Sequence, residues 1–152
     1  MKLIEFLAPH DVLANLRADD KETALTQMCA FISRVHPEVS ENASSVLLHR
    51  EQLGSTGIGG AIAIPHGKLD SIEKLIACVA RSQAGIPFDA MDGAPVKLLF
   101  VLLAPRKEAG LHLKALARIA KLMRQHGLHD KLMSARDAAE MYRILTEEDK
   151  GL

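Results

Sequence analysis

Apolar residues recur along the chain at two different periods, and the change of period separates predicted helices from predicted strands. Spacings of three and four residues are typical of one face of an amphipathic helix. Asp19 or Asp20 is a suitable N-cap for the first such helix, and Pro37 ends it. The buried face of this helix is predicted to contain Leu25, Met28, Ile32 and Val35.

Four more helices are predicted by the same periodicity. The second can begin with Ser40 as its cap, and its buried stripe is predicted to be Val46, Leu47 and Leu53. A long helix runs from about Leu113 and stops near Gly127, with Gly110 as a candidate cap and with Leu116, Ala120 and Met123 on its apolar face. Two shorter helices are predicted around residues 128–134 and 138–145.

Two continuous apolar runs predict the strands of a small sheet. Residues 96–103 are apolar throughout apart from Lys97, which indicates a central strand closed by Pro105. Residues 76–80 predict a second strand, and Val12 to Leu16 can form a short third one. Helices mixed with a few strands predict an α/β domain in layers. Because no repeat or linker divides the 152 residues, we expect one domain over residues 1–152.

Composition and charge narrow the classes of function. The chain is 48% hydrophobic with a formal net charge of zero, so it lacks the overall basic footprint typical of nucleic-acid binding. No apolar stretch approaches the roughly 20 residues that span a bilayer, and no signal peptide is evident at the N-terminus. We therefore expect a cytoplasmic protein that is not membrane-embedded. Cys29 and Cys78 lie in apolar segments at no metal-like spacing, which predicts two buried thiols.

Residues 54–68, GSTGIGGAIAIPHGK, contain the candidate chemistry. A P-loop requires glycine at position 62, where Ile62 stands, and a dinucleotide-binding loop from Gly57 fails at the same position. The glycines nevertheless offer backbone N–H groups and close approach. Pro65 and Gly67 flank His66, whose imidazole is a candidate nucleophile. Taken alone, a histidine that merely completes a turn is the favoured interpretation of this tripeptide.

Two further residues strengthen the case for His66. His112 falls in the first turn of the long helix, where free N–H groups and the helix dipole favour an anion. Arg50 lies near the end of the second helix, and its guanidinium can bind phosphate oxygens in a forked geometry. Each alone is as well explained by an ordinary surface residue, and we expect Lys68 to be a solvated lysine. Together, His66, His112 and Arg50 fit a phosphoryl-transfer site that needs no nucleotide.

These residues carry a resemblance to a known family. Arg50-Glu51, Ser55-Thr56-Gly57-Ile58-Gly59 and the run from Ile62 to Lys68 resemble the signature of mannitol/fructose-type enzyme IIA domains of the phosphoenolpyruvate-dependent phosphotransferase system. The segment from Pro87 to Gly93 and the pair His112-Leu113 before a long helix also match. The resemblance covers nearly the whole chain. A lone domain without a linker is most similar to the stand-alone nitrogen-regulatory type.

The resemblance implies a fold and a mechanism. The implied fold is a single three-layer α/β domain with a small mixed sheet and helices on both faces. His66 is implied to accept a phosphoryl group on Nε2 from a histidine-phosphocarrier protein, with His112 beside the phosphoryl group and Arg50 steadying the site. Other implied partners are regulated transporters or sensor proteins, and no cofactor or metal is expected. The alternative is a fructose- or mannitol-specific donor to a sugar permease. The predicted phosphate loop consists of Ser55, Thr56, Gly57 and Gly59.

One position departs from the family pattern. Members commonly carry a polar residue followed by glycine where this chain has Gly60-Ala61. If the family glycine adopts positive φ, alanine is disfavoured there, and Gly60 is expected to take that conformation instead.

Overall fold

The two long apolar runs form the centre of one mixed sheet. A computed structural model describes residues 1–40 and 42–152. Within them, the central strands are β5 (Ile76–Ile86) and β6 (Val96–Pro105), which pair antiparallel with Val79 opposite Phe100. The other strands are β1 (Val12–Leu13), β2 (Gly57–Gly59), β3 (Ile62–Ala63) and β4 (His66–Leu69). The predicted strand over residues 12–16 is therefore shorter than expected.

Two short strands, β3 and β4, pair with the edge of β6 that faces away from β5. β3 pairs in parallel with the first half of β6, and β4 pairs in parallel with its second half. β1 lies parallel to β5 on the opposite side, and β2 forms an antiparallel hairpin with β3. The sheet order is thus β1-β5-β6-β3-β2, with β4 beside β3 on the same edge of β6. Part of the predicted phosphate loop, Gly57 and Gly59, is therefore strand.

Helices cover both faces of the sheet, as predicted for a three-layer domain. In the described residues these are α1 (Lys21–Val35), α2 (Ala43–Gln52), α3 (Ala109–Met123), α4 (Leu128–Ser134) and α5 (Ala138–Lys150). Leu98, Phe100 and Leu102 of β6 pack in the core that contains α3, α4 and α5, whereas Leu99, Val101 and Leu103 pack in the core that contains α1 and α2. This alternation follows from the two-residue period of a strand. None of these helices combines the length and apolar character needed to cross a membrane.

The helix ends confirm one predicted cap and correct two. The Asp20 side chain accepts a hydrogen bond from the Thr23 amide at 2.7 Å and caps α1. The N-cap of α2 is Asn42 rather than Ser40, because the Ser40 hydroxyl donates to the Asn42 side chain instead of meeting the first turn. Since α2 ends at Gln52, Leu53 lies beyond it and is 74% exposed, not buried.

The long helix begins and ends earlier than predicted. α3 has Glu108 as its N-cap, not Gly110, and the His112 amide already donates to the Glu108 carbonyl at 3.1 Å. α3 ends at Met123, whereas Gly127, with φ +81°, precedes α4 as its N-cap. His112 is therefore the fourth residue of α3, and its backbone N–H is already used within the helix.

Strand β5 continues past its apolar part through a buried arginine whose guanidinium donates three hydrogen bonds. Arg81 is 3% exposed, and its guanidinium donates to the carbonyls of Ala14, Leu132 and Ala135 at 2.7–3.1 Å. These bonds join β5 to the end of α4 and to the segment after β1.

The two predicted buried thiols are confirmed: Cys29 and Cys78 are both buried, and burial raises the pKa of Cys29 to about 11. Thiols with such a pKa are unreactive at neutral pH.

In the turn of the β2–β3 hairpin Gly60 has the positive φ expected of it, but not in place of Ala61. Both Gly60 and Ala61 have φ of +65°, so alanine itself adopts the left-handed conformation. The Ala61 carbonyl accepts from the amides of Lys97 and Leu98 at 2.8 and 3.0 Å, and the Gly60 amide donates to Asp92 at 3.0 Å. These bonds fix the path of the turn on β6 and hold Ala61 in its unfavourable conformation.

Replacing Ala61 with glycine is expected to stabilise the fold by about 0.5–1 kcal/mol. The change removes left-handed strain of about 1–2 kcal/mol, partly offset by the greater entropy of the unfolded chain. A rise in Tm of about 1–3 °C in thermal denaturation would be the readout. Gly60→Ala is the matched control: an added Cβ there meets nothing within 4 Å, so it should lower Tm through backbone strain alone. An unchanged or lower Tm for Ala61→Gly would contradict this account.

Candidate functional site

His66 is placed by an interruption in the edge of the sheet. Ile64 and Pro65 separate β3 from β4, and His66 is the first residue of β4, opposite Leu102 of β6. The Leu102 amide donates to the Pro65 carbonyl at 2.9 Å, so the chain stays attached to β6 through the break. The histidine thus sits on backbone fixed by the central strand.

The ring of His66 is oriented by its own backbone. Nδ1 lies 2.8 Å from the Ile64 carbonyl oxygen. Because a carbonyl only accepts hydrogen bonds, Nδ1 carries the proton and Nε2 keeps its lone pair. Burial lowers the pKa of His66, aided by the charge of Arg50 and opposed by the Ile64 carbonyl and Glu51. The neutral, Nε2-nucleophilic form therefore predominates at neutral pH.

His112 lies beside His66 with an unused ring nitrogen. The two ring centroids are 5.3 Å apart, and the planes meet at 63°. His112 is 7% exposed, and its Nε2 has no hydrogen-bond partner in the described part of the chain. Burial, followed by the positive charges of His66 and Lys68, lowers the pKa of His112 to about 4. A buried unpaired nitrogen costs free energy, which a hydrogen-bonding group at His66 would recover.

Arg50 reaches the same cleft from the last turn of α2. Its Nη1 donates to the Gly54 carbonyl at 2.8 Å, which anchors the side chain. That is the single hydrogen bond found for this guanidinium in the described residues, so four of its five N–H donors stay available. The predicted site residues His66, His112 and Arg50 are therefore brought together on one cleft.

The cleft has a volume of about 470 Å³ and a positive lining. Besides Arg50, the cations are Lys68 and Arg106, and His49 lies beside them. Among the described residues, no acidic side chain contributes to this lining. Lys68 is partly buried in the cleft, which corrects the expectation of a solvated lysine. Arg106 was not predicted at all, because it reaches the cleft only through the pairing of β4 with β6, which aligns Leu69 with Pro105.

The predicted phosphate-loop residues lie next to this cleft in sequence but do not line it. The Ser55 hydroxyl donates to the Phe88 carbonyl at 2.6 Å and accepts from the Gly57 amide. Thr56 is buried and hydrogen-bonded to Glu51, and Gly59 lines a different cavity. Their contacts hold the segment against the sheet. Their role toward a phosphoryl group stays a prediction.

Glu51 is a positioning residue that sequence analysis did not single out beyond the motif. Its carboxylate is 6% exposed, accepts from the Thr56 amide at 3.2 Å and pairs with Lys21 at 3.1 Å. This contact ties the end of α2, where Arg50 stands, to the start of the β2–β3 hairpin. The sequence offers one indication of this role: Glu51 directly follows Arg50, a candidate phosphate ligand.

An apolar rim borders the cleft. Leu53 lines it and is 74% exposed, and Leu113, adjacent to His112, is 69% exposed. Large exposed apolar side chains next to a charged cleft are typical of protein-binding surfaces. The site therefore combines a candidate nucleophile, cationic side chains and a surface suited to protein contacts.

The low pKa of His112 predicts a loss of stability in acid. The unfolded histidine titrates near 6.5 and the folded one near 4, so the unfolded state binds more protons between these values. The stability that neutral His112 contributes is fully present above about pH 6.5 and declines as the pH falls toward 4. We expect a loss of about 2 kcal/mol, less than the full pKa shift would give, because the ring borders the cleft and solvent screens part of its charge. Urea denaturation of wild type and His112→Gln across this range would measure it. Parallel pH profiles for the two proteins would rule the effect out.

Comparisons with known proteins agree with this fold. Residues 5–148 match the family model described as the phosphoenolpyruvate-dependent sugar phosphotransferase system, EIIA 2. A protein named nitrogen regulatory protein from Bradyrhizobium diazoefficiens is 41% identical over 145 residues, or 95% of each chain. A protein of the same name from Pseudomonas aeruginosa is 38% identical over 99% of each chain. The crystal structure of nitrogen regulatory protein IIA-Ntr from Neisseria meningitidis superposes with a TM-score of 0.86 at 31% identity, covering 93% of this chain and 97% of that one.

Proposed function

Since the chain belongs to the EIIA 2 family of the phosphoenolpyruvate-dependent phosphotransferase system, we propose that it is a cytoplasmic phosphoryl carrier of the nitrogen branch. In this proposal a histidine-phosphocarrier protein donates the phosphoryl group to His66. The phosphorylated and free forms then regulate transporter or sensor proteins. The observation that carries the proposal is the free Nε2 lone pair of His66 in a positively lined cleft.

The transfer needs only groups that this chain and the donor supply. The Nε2 lone pair of His66 forms a bond to phosphorus while the bond from phosphorus to the donor's histidine nitrogen breaks, and that nitrogen keeps the electron pair. Charge that builds on the attacking imidazole is stabilised through the Nδ1–H bond to the Ile64 carbonyl. Nothing is oxidised or reduced, and no nucleotide or metal takes part in this step.

Side chains around His66 would hold the phosphoryl group through different interactions. Arg50 and Lys68 provide positive charge to its oxygens, and Arg106, whose Nε also pairs with Asp70 at 2.9 Å, lies in the same lining. His112 provides a nitrogen that has no other partner among the described residues, and the arriving dianion would raise its pKa and favour donation of a proton in a hydrogen bond. The cleft is therefore matched to the phosphorylated form of His66.

The regulatory part of the proposal rests on charge and surface. Phosphorylation adds up to two negative charges to a cleft that has no acid among its described lining. The exposed Leu53 and Leu113 at the rim give a partner an apolar contact next to this change. The name nitrogen regulatory protein of two relatives matched over 95–99% of the chain supports the nitrogen branch.

Phosphorylation assays test the carrier and its branch separately. The purified chain is mixed with enzyme I, a histidine-phosphocarrier and phosphoenolpyruvate, and its intact mass is measured. We expect the gain of one acid-labile phosphate. No gain with phosphocarriers of either the nitrogen or the sugar branch would refute the carrier function. Efficient onward transfer to a fructose or mannitol permease domain would instead favour the sugar-transport alternative.

A further inference from the structure

Two histidines and an aspartate meet on the side of the domain where the N-terminal segment contacts the end of α1. Asp11 closes the short 3₁₀ turn Pro9–Asp11 that also contains His10, and His36 caps the C-terminus of α1. His36 Nε2 lies 2.7 Å from Asp11 Oδ1, and His10 Nε2 lies 3.8 Å from the same oxygen. One candidate ligand atom from each residue lies within 4.8 Å of the other two.

The Asp11 carboxylate is buried, and its ion-pair partners among the described residues are histidines only. Its side chain is 3% exposed, and among the described residues its carboxylate pairs with His10 and His36 and with no lysine or arginine. Oδ2 is held by the Ala8 amide at 2.8 Å, which directs Oδ1 toward both imidazoles. Burying a carboxylate is costly unless a positive partner compensates it. The three side chains therefore converge on a position where a cation would be stabilised.

We propose that His10, Asp11 and His36 bind a divalent transition-metal ion, with Zn²⁺ as the best fit. Two imidazole nitrogens and one carboxylate oxygen form a donor set that zinc prefers, with water as the fourth ligand. Tetrahedral ligands on zinc lie about 3.4 Å apart, so His10 must approach Asp11 from 3.8 Å while His36 and Asp11 separate from 2.7 Å. The His10 side chain, 63% exposed, can rotate inward, and the metal replaces the hydrogen bond between His36 and Asp11.

This site is separate from the phosphoryl cleft and would act on the fold. Its ligands come from the N-terminal 3₁₀ turn and from the residue that follows α1, which are 25 positions apart in sequence. Bound metal would fasten these two segments together without involving His66. The sequence indicated no ligand pattern here, because the His36 contact depends on tertiary packing.

Titration with ZnCl₂ tests the site in the full chain. Isothermal titration calorimetry is expected to show one Zn²⁺ bound per chain, and Tm should rise by roughly 5–10 °C when free zinc is 100 times Kd. His10→Gln and His36→Gln should each weaken binding at least 100-fold, since loss even of an indirect partner of a metal costs 10–100-fold. His10→Gln keeps the proposal testable if His36→Gln fails to fold, because His10 is exposed.

Two controls separate this site from other histidines. His126→Gln removes an exposed histidine outside the cluster, and His66→Gln removes a histidine of the cleft. Both should bind zinc like the wild type. The proposal is overturned if the wild type binds no Zn²⁺ at about 100 µM, or if His10→Gln binds it as tightly as the wild type. Neither result would bear on phosphorylation of His66.

Discussion

Substitution of His66 by alanine is expected to reduce phosphorylation of this chain from one phosphate to none. The substitution removes the Nε2 lone pair that attacks phosphorus. His112 cannot replace it, because its Nε2 is buried and its pKa is lowered to about 4, so its nitrogen is a weak base out of reach of a donor protein. The measurement is the intact mass after incubation with enzyme I, a histidine-phosphocarrier and phosphoenolpyruvate, before and after acid treatment.

The control for this experiment must keep the fold and lose one histidine, as His66→Ala does. His126→Ala removes an exposed histidine far from the cleft lining and should still gain one acid-labile phosphate. Circular dichroism and Tm should show that His66→Ala is folded, since its ring is only partly buried and its one hydrogen bond is to local backbone. An alanine variant that still gained acid-labile phosphate would exclude His66 as the acceptor.

The largest expected effect on stability comes from Arg81. Its guanidinium donates three hydrogen bonds to carbonyls of Ala14, Leu132 and Ala135, and the side chain is 3% exposed. Arg81→Met keeps much of the side chain's volume but leaves the carbonyls of Ala14 and Ala135 without this donor, while the Leu132 carbonyl keeps the Ala135 amide at 3.3 Å. Each unsatisfied buried carbonyl costs about 1–3 kcal/mol, and relaxation recovers part, so we expect a loss of about 3–5 kcal/mol.

Urea denaturation measures this loss against a matched arginine. Arg136 is 85% exposed and forms an i,i+4 pair with Glu140 at 2.9 Å, so Arg136→Met should cost at most about 0.5 kcal/mol. Arg81→Met should lower Tm by roughly 6–20 °C, given 2–4 °C per kcal/mol in a domain of this size. A decrease no larger than that of Arg136→Met would show that α4 is held by other contacts.

Local patterns predicted those parts of the fold whose sequence signal is local. The apolar spacing of α1 and its Asp20 cap are both contained in one helix, and the continuous run in β6 is apolar because both of its faces are covered. The extension of β5 through Arg81 could not be predicted, because that arginine is buried by carbonyls from distant segments. The predicted caps Ser40 and Gly110 were wrong, because the observed caps Asn42 and Glu108 make no side-chain hydrogen bond to the first turn and so do not follow the usual cap pattern.

The site residues that belong to a sequence motif could be predicted. Those that reach the site through the pairing of β4 with β6 could not. His66, Arg50 and His112 could be selected from the sequence because each has a local context that suits phosphate chemistry. Lys68 and Arg106 join them only because β4 lies parallel to β6. The His10–Asp11–His36 cluster could not be predicted either, because it forms only when packing of α1 brings His36 to the N-terminal turn.

The hydrogen bond from His66 to the Ile64 carbonyl has a genetic consequence. Every amino acid carries a main-chain carbonyl, so no single substitution at position 64 deletes the group that sets the His66 tautomer. Only altered backbone geometry can do so, and the neighbours that control it are Pro65 and Gly67, whose added Cβ would lie 2.5 Å from a Val46 methyl carbon. In a saturation screen for phosphoryl acceptance, position 64 should therefore tolerate apolar exchange, while inactive alleles should concentrate at 65, 66 and 67.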